Sequence, residues 1–122
     1  MLPSLVIGDF VESRVRSLSE GRRDALVIST RMLWVGFRGH VCRVRSAERR
    51  MIVALFAEPG RVVPNAEMIE LCYGDDEDGG PELATQSQAQ NRIAVLFVCA
   101  MVGAKLERAN GGYFVRDAGG TP

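Results

Sequence analysis

Histidine is nearly missing from this chain; His40 is the only one. That removes the commonest general base and metal ligand from all but one position. Cysteine is sparse and odd in number: Cys42, Cys72 and Cys99 lie far apart, each among apolar neighbours. Such cysteines read as small buried hydrophobes in a reducing compartment. Zinc would need closely spaced Cys or His pairs, and His40 near Cys42 is the nearest approach, so no metal is expected. No Ser-His-Asp or Cys-His neighbourhood and no phosphate-binding glycine loop is present, and Gly79-Gly80 and Gly111-Gly112 read as turn glycines. Neither an enzyme nor a cofactor is therefore expected. Long apolar runs are absent too, since nothing approaches the roughly 18 residues that span a bilayer. Met1-Leu2-Pro3 lacks the basic start and apolar core of a signal peptide. A cytoplasmic protein with no membrane partner follows. Net charge is zero, which gives no overall pull towards nucleic acid.

What is present is an ordinary globular composition, 47% apolar and 25% charged over 122 residues. That length suits a single domain over 1–122, burying about two-thirds of its unfolded surface. Its parts read as a β-sheet portion at 1–45, a helical and hairpin portion at 46–116, and a tail at 117–122. Charge is unevenly spread. Residues 1–50 hold ten arginines and five acids, whereas residues 51–122 hold five bases and ten acids. Every base except Lys105 is arginine, the side chain suited to forked contacts with phosphate or carboxylate. A GC-rich coding sequence gives the same preference.

Along the chain, Leu5, Val6, Ile7, Phe10 and Val11 form an apolar segment broken by Gly8-Asp9. Residues 17–23 are polar, contain Gly21 and read as a loop. Leu26-Val27-Ile28 is a short β-branched strand. Leu33, Val35 and Phe37 alternate with Trp34 and Gly36, and after Arg38-Gly39-His40 the chain returns through Val41-Cys42-Arg43-Val44. That pattern predicts a hairpin. A helix is predicted over 46–57, capped by Ser46 with Ile52, Leu55 and Phe56 on one face, stopped by Pro59-Gly60. Val62-Val63 is an apolar link, and Asn65 caps a second helix over 66–73. Asp75, Asp76, Glu77 and Asp78, followed by Gly79-Gly80-Pro81, predict a solvated loop or a contact for a basic protein surface. The spacing of those acids is wrong for a calcium loop.

A third helix should begin near Glu82 or Ala84, with Ala89, Ile93, Leu96 and Ala100 tracing one face. Val95, Phe97, Val98, Cys99 and Val102 fill its other sides, so its second half is either core or an oligomer contact. A buried strand over 95–101 is the alternative. Asn110-Gly111 joins Lys105-Leu106-Glu107-Arg108 to Tyr113-Phe114-Val115-Arg116 in a type I′ hairpin.

Certain of these residues resemble a family pattern. Ser46 and Glu48-Arg49, then Glu58-Pro59-Gly60-Arg61-Val62-Val63-Pro64-Asn65-Ala66-Glu67-Met68, then Tyr73-Gly74, and last Asn110-Gly111-Gly112-Tyr113-Phe114-Val115 follow the order of one bacterial domain. From about Val41 to Val115 the chain resembles the winged-helix effector domain of OmpR/PhoB-class response regulators. The resemblance implies an α+β winged helix-turn-helix with an N-terminal antiparallel β-sheet, three helices and a C-terminal β-hairpin wing. Departures are visible. The family's basic recognition-helix positions fall here in the apolar 95–99, Asn110 stands where Arg is usual in a wing one residue shorter, and Pro64 replaces a capping Ser. No receiver domain is read, so aspartyl-phosphate regulation is not expected.

The resemblance implies a transcription regulator binding double-stranded DNA. Gln86, Gln88, Gln90, Asn91 and Arg92 would reach base edges, because amides pair with adenine and arginine with guanine. Lys105, Arg108 and Arg116, with Asn110 at the tip, would hold phosphates, helped by Arg49 and Arg50. The alternative is a protein-interaction module on the same fold, without sequence-specific DNA binding. It would offer Asp75, Asp76, Glu77 and Asp78 to RNA polymerase or a regulator. A homodimer through the apolar 95–102 run is the remaining partner expectation.

Overall fold

The computed structural model describes residues 2–73 and 94–118. Its first unit is β1 (Ser4–Gly8), α1 (Glu12–Gly21) and β2 (Ala25–Ser29), followed by the hairpin β3 (Trp34–Phe37) and β4 (His40–Arg43). The four strands lie in the order β1-β2-β3-β4. The hairpin forms as read, turning through Arg38 and Gly39 at φ 51° and 84°, with His40 already in the return strand and opposite Phe37.

Two expectations for residues 1–45 are corrected. The stretch read as a loop at 17–23 belongs mostly to helix α1. With that helix as crossover, β1 runs parallel to β2, Ser4 opposite Ala25 and Gly8 opposite Ser29, so the sheet is mixed rather than antiparallel. The physical reason is that α1 buries only Val15 and Ser19, too narrow a stripe to show as amphipathic periodicity. Its N-cap is Val11, which has no side-chain cap hydrogen bond, so the usual start signal is missing. The helix seats where the sheet gives way. A Cβ on Gly36 would lie 2.6 Å from Val15 Cγ1. Ser19 Oγ donates to Arg16 O at 2.9 Å and accepts from Gly39 N at 3.0 Å, tying α1 to the β3–β4 turn.

Helix α2 (Ser46–Ala57) has the bounds read from sequence. Its N-cap is Arg45 rather than Ser46, and Glu48 Oε1 accepts from Arg45 N at 2.8 Å. That carboxylate satisfies one of the exposed first-turn donors. Met51, Ile52, Leu55 and Phe56 are buried. A two-residue strand, β5 (Val63–Pro64), leads into α3 (Asn65–Tyr73).

Residues 94–102 form a helix, α4, which resolves the choice between helix and strand. The described residues thus contain four helices, one more than expected, because α1 was read as loop. Val95, Val98, Cys99 and Val102 are the buried positions of α4, at spacings of three, one and three. Leu96 and Ala100, read as sharing one face, are both exposed.

Strands β6 (Ala104–Ala109) and β7 (Gly112–Asp117) close a second sheet in the order β5-β7-β6. Their turn is Asn110-Gly111, at φ 44° and 80°, the type I′ conformation that favours this dipeptide. Asn65 N donates to Gly111 O at 2.9 Å and Gly60 N to Val115 O at 3.2 Å, so the link before α3 is strapped to the hairpin. One core joins the sheets: Leu26, Ile28, Val35 and Phe37 of the first pack with Ile52, Leu55 and Phe56 of α2, Val95 and Val98 of α4, and Val115 of β7. No helix among the described residues is long and apolar enough to cross a membrane.

Candidate functional site

The C-terminal hairpin carries three of the cations singled out in the sequence, and the register sorts them. Lys105 is opposite Arg116, and Arg108 is opposite Tyr113. Strand alternation therefore puts Lys105 and Arg116 on one face and Arg108 on the other. Lys105 is exposed. Arg116 is bridged to Glu107, with Nε and Nη2 each 2.9 Å from Oε1, and Nη1 donates to Asp117 O at 3.1 Å. The carboxylate offsets the like-charge opposition of Lys105 and Arg116. The guanidinium of Arg108 lies over the Tyr113 ring, 5.6 Å from its centroid, which holds its planar group beside the tip. Asn110 is exposed at the turn.

Arg49 and Arg50 lie elsewhere, on α2. Arg49 Nη1 donates to Ser29 O at 3.1 Å and Thr30 O at 2.9 Å, and Arg50 Nε donates to Leu71 O at 2.7 Å. They tie α2 to the end of β2 and to α3, along an apolar hollow of about 330 Å³ that Ile7, Val53 and Leu71 help to line. Gln86, Gln88, Gln90, Asn91 and Arg92 lie outside the described residues, as do Asp75, Asp76, Glu77 and Asp78.

A second surface lies on the 95–102 run, read from sequence as either core or an oligomer contact. Phe97 on α4 is 61% exposed and Leu96 is 44% exposed, whereas Val98 is fully buried. Within that run Phe97 is therefore a surface position and Val98 a core position. Phe97 stands in a trough between α4 and β4. One part, about 380 Å³, is lined by Cys42, Arg43, Arg45, Glu48, Ala94 and Val98 together with Phe97. The next, about 660 Å³, is lined by Arg16, Gly39, His40, Val41, Ala100 and Met101, sharing Cys42 and Phe97 with the first. The sequence signal for this surface was the phase of the α4 repeat, and it depended on where residues 94–102 begin their buried stripe.

Both thiols of known placement are free and shifted. Burial pushes Cys42 above the ordinary thiol value, with Glu48 adding repulsion. Burial pushes Cys99 to about 11. In both, burial disfavours the thiolate that a reactive cysteine needs. No protein-family model matches the chain, and no curated protein resembles it at a significant level.

Proposed function

We propose that this chain is a cytoplasmic winged-helix transcription regulator of the OmpR/PhoB type that binds duplex DNA. In this reading α2, α3 and α4 are the three helices, β6–β7 is the wing, and the β1–β4 sheet is the N-terminal support. The observation that carries it is the β5-β7-β6 sheet, which ties the strand between α2 and α3 to a hairpin following α4 that carries Lys105, Arg108 and Arg116. Lys105, Arg108 and Arg116 then contact phosphates, and Gln86, Gln88, Gln90, Asn91 and Arg92, which precede α4 in the chain, read bases.

Selection of bound duplexes from random DNA tests this, followed by a salt titration of the recovered site. A motif should emerge, and Arg92→Ala should relax one base position by about 1–3 kcal/mol. Lys105→Ala should lower the salt slope by about one unit while weakening all sequences alike. Loss of any enriched motif, with salt-independent residual binding, sinks the proposal.

One observation favours a second reading, a protein-interaction module on the same fold. The outward face of α4 over residues 94–102 is Leu96, Phe97 and Ala100, with no cation to meet a phosphate. RNA polymerase is then the partner, met also by Asp75, Asp76, Glu77 and Asp78. Retention of polymerase binding by an Arg92→Ala protein that selects no DNA motif would decide for this reading.

A further inference from the structure

Among the described residues β4 is an edge strand of its sheet. Phe37–His40 and Val35–Cys42 are opposed pairs, and Val44 N donates to Leu33 O at 3.0 Å. Antiparallel alternation then turns the N–H and C=O of Val41 and Arg43 away from β3, towards the trough. Opposite them stands Phe97, exposed on α4 with Ala94, Ala100 and Met101 along the same wall. The site thus offers a row of backbone donors and acceptors beside an apolar shelf, the two ingredients of strand addition. Its rim is basic. Arg16, His40, Arg43 and Arg45 line it, and Glu48 is the one acid among the described lining residues. Glu48 is 8% exposed and engaged by Arg45 N. Arg16 is held at the Gly39 carbonyl at 3.1 Å, with Glu12 at 3.4 Å, and the Arg43 guanidinium lies over the Trp34 ring.

We propose that this trough binds an extended segment of a partner protein in which acidic and apolar residues alternate. The segment adds to the free edge of β4, seats an apolar side chain on Phe97, and sets its carboxylates against the basic rim. Charge selects this occupant over a second copy. An antiparallel β4–β4 pairing about a two-fold axis would bring the arginine-rich rims together, and like charges across an interface are costly. The inference does not rest on DNA binding, which the proposal above assigns to the hairpin and to Gln86, Gln88, Gln90, Asn91 and Arg92.

The probe is a synthetic peptide of about eight residues alternating Asp or Glu with Val or Leu. That length spans the trough beside 39–45 at ~3.3 Å per residue. Binding to the full chain is followed by fluorescence anisotropy and compared with two controls, one with lysine at every acidic position and one N-methylated at alternate amides. The acidic peptide should bind saturably, about tenfold or more tighter than either control. Phe97→Ser should weaken it about tenfold without lowering the melting temperature, and Arg43→Glu should shift preference towards the lysine peptide. Equal affinity for acidic and lysine peptides overturns the proposal, as does undiminished binding of the N-methylated peptide or no binding at all. A dimer seen by sedimentation that Phe97→Ser abolishes overturns it as well, making the trough a self-interface.

Discussion

At the scale of single residues, buried polar side chains among the described residues are placed with their partners. Ser29, fully buried, donates through Oγ to Phe10 O at 2.7 Å and accepts from Met32 N at 3.1 Å. Ser19 does the equivalent service between α1 and the β3–β4 turn. Ser19→Ala should cost about 1–3 kcal/mol, because it leaves Gly39 N–H without its acceptor in a part-buried site. Urea unfolding of the two proteins reads this directly. Cys99 gives a pH signature. Its thiol is ordinarily near 9.0 and is held at about 11 in the fold. The folded state therefore keeps its proton longer than the unfolded chain, so the stability is full below pH 9 and is lost as pH rises towards 11. The loss should reach on the order of 2 kcal/mol, and Cys99→Ala should flatten that slope in an alkaline denaturation series.

The elements differ in how much of them the amino-acid order discloses. The β6–β7 hairpin is legible because Asn110-Gly111 answers a backbone need, positive φ at two successive residues. The bounds of α2 are legible because its buried positions are spaced as a helix and Pro59-Gly60 ends it. Helix α1 is not, since a helix whose one fully buried hydrophobic residue is Val15 gains its place from Gly36 beneath it, a residue distant in sequence. The period of α4 is legible but its phase is not, for an apolar-all-round segment leaves open which stripe is buried. Two substitutions separate these cases. Phe97→Asp should leave stability within about 0.5 kcal/mol, while Val98→Asp, at a fully buried position, should unfold the protein. Circular dichroism at rising temperature distinguishes the two. In the second sheet, a Cβ on Gly112 would overlap Val63 O, a backbone atom that cannot swing aside. Gly112→Ala should cost about 1–3 kcal/mol through β5–β7 separation, read as lost amide protection at Val63.

The whole molecule is held by a core shared between two sheets, so its parts should not melt separately. Trp34 is the only tryptophan and lies in β3, which makes its emission a reporter of the first sheet, while far-ultraviolet dichroism reports all elements. The two curves should coincide in urea. A Trp34 transition displaced from the dichroism curve would show two independent units instead. The shared core also explains why the candidate DNA surface was the least legible part. Its cations are spread over both faces of a hairpin whose placement depends on β5, and no local pattern encodes that pairing.

That pairing has a consequence in time. The contacts of the first sheet join neighbours along the chain: β1 with β2, β2 with β3, β3 with β4. The β5–β7 ladder joins Val63 to Tyr113, across most of the C-terminal half. Loop closure makes near pairings quick and distant ones slow. On a ribosome, where the amino end emerges first, the four-stranded sheet can assemble while the hairpin is still unmade. The strap at Gly112 then closes last, and defects there should hasten unfolding while leaving the refolding rate nearly unchanged.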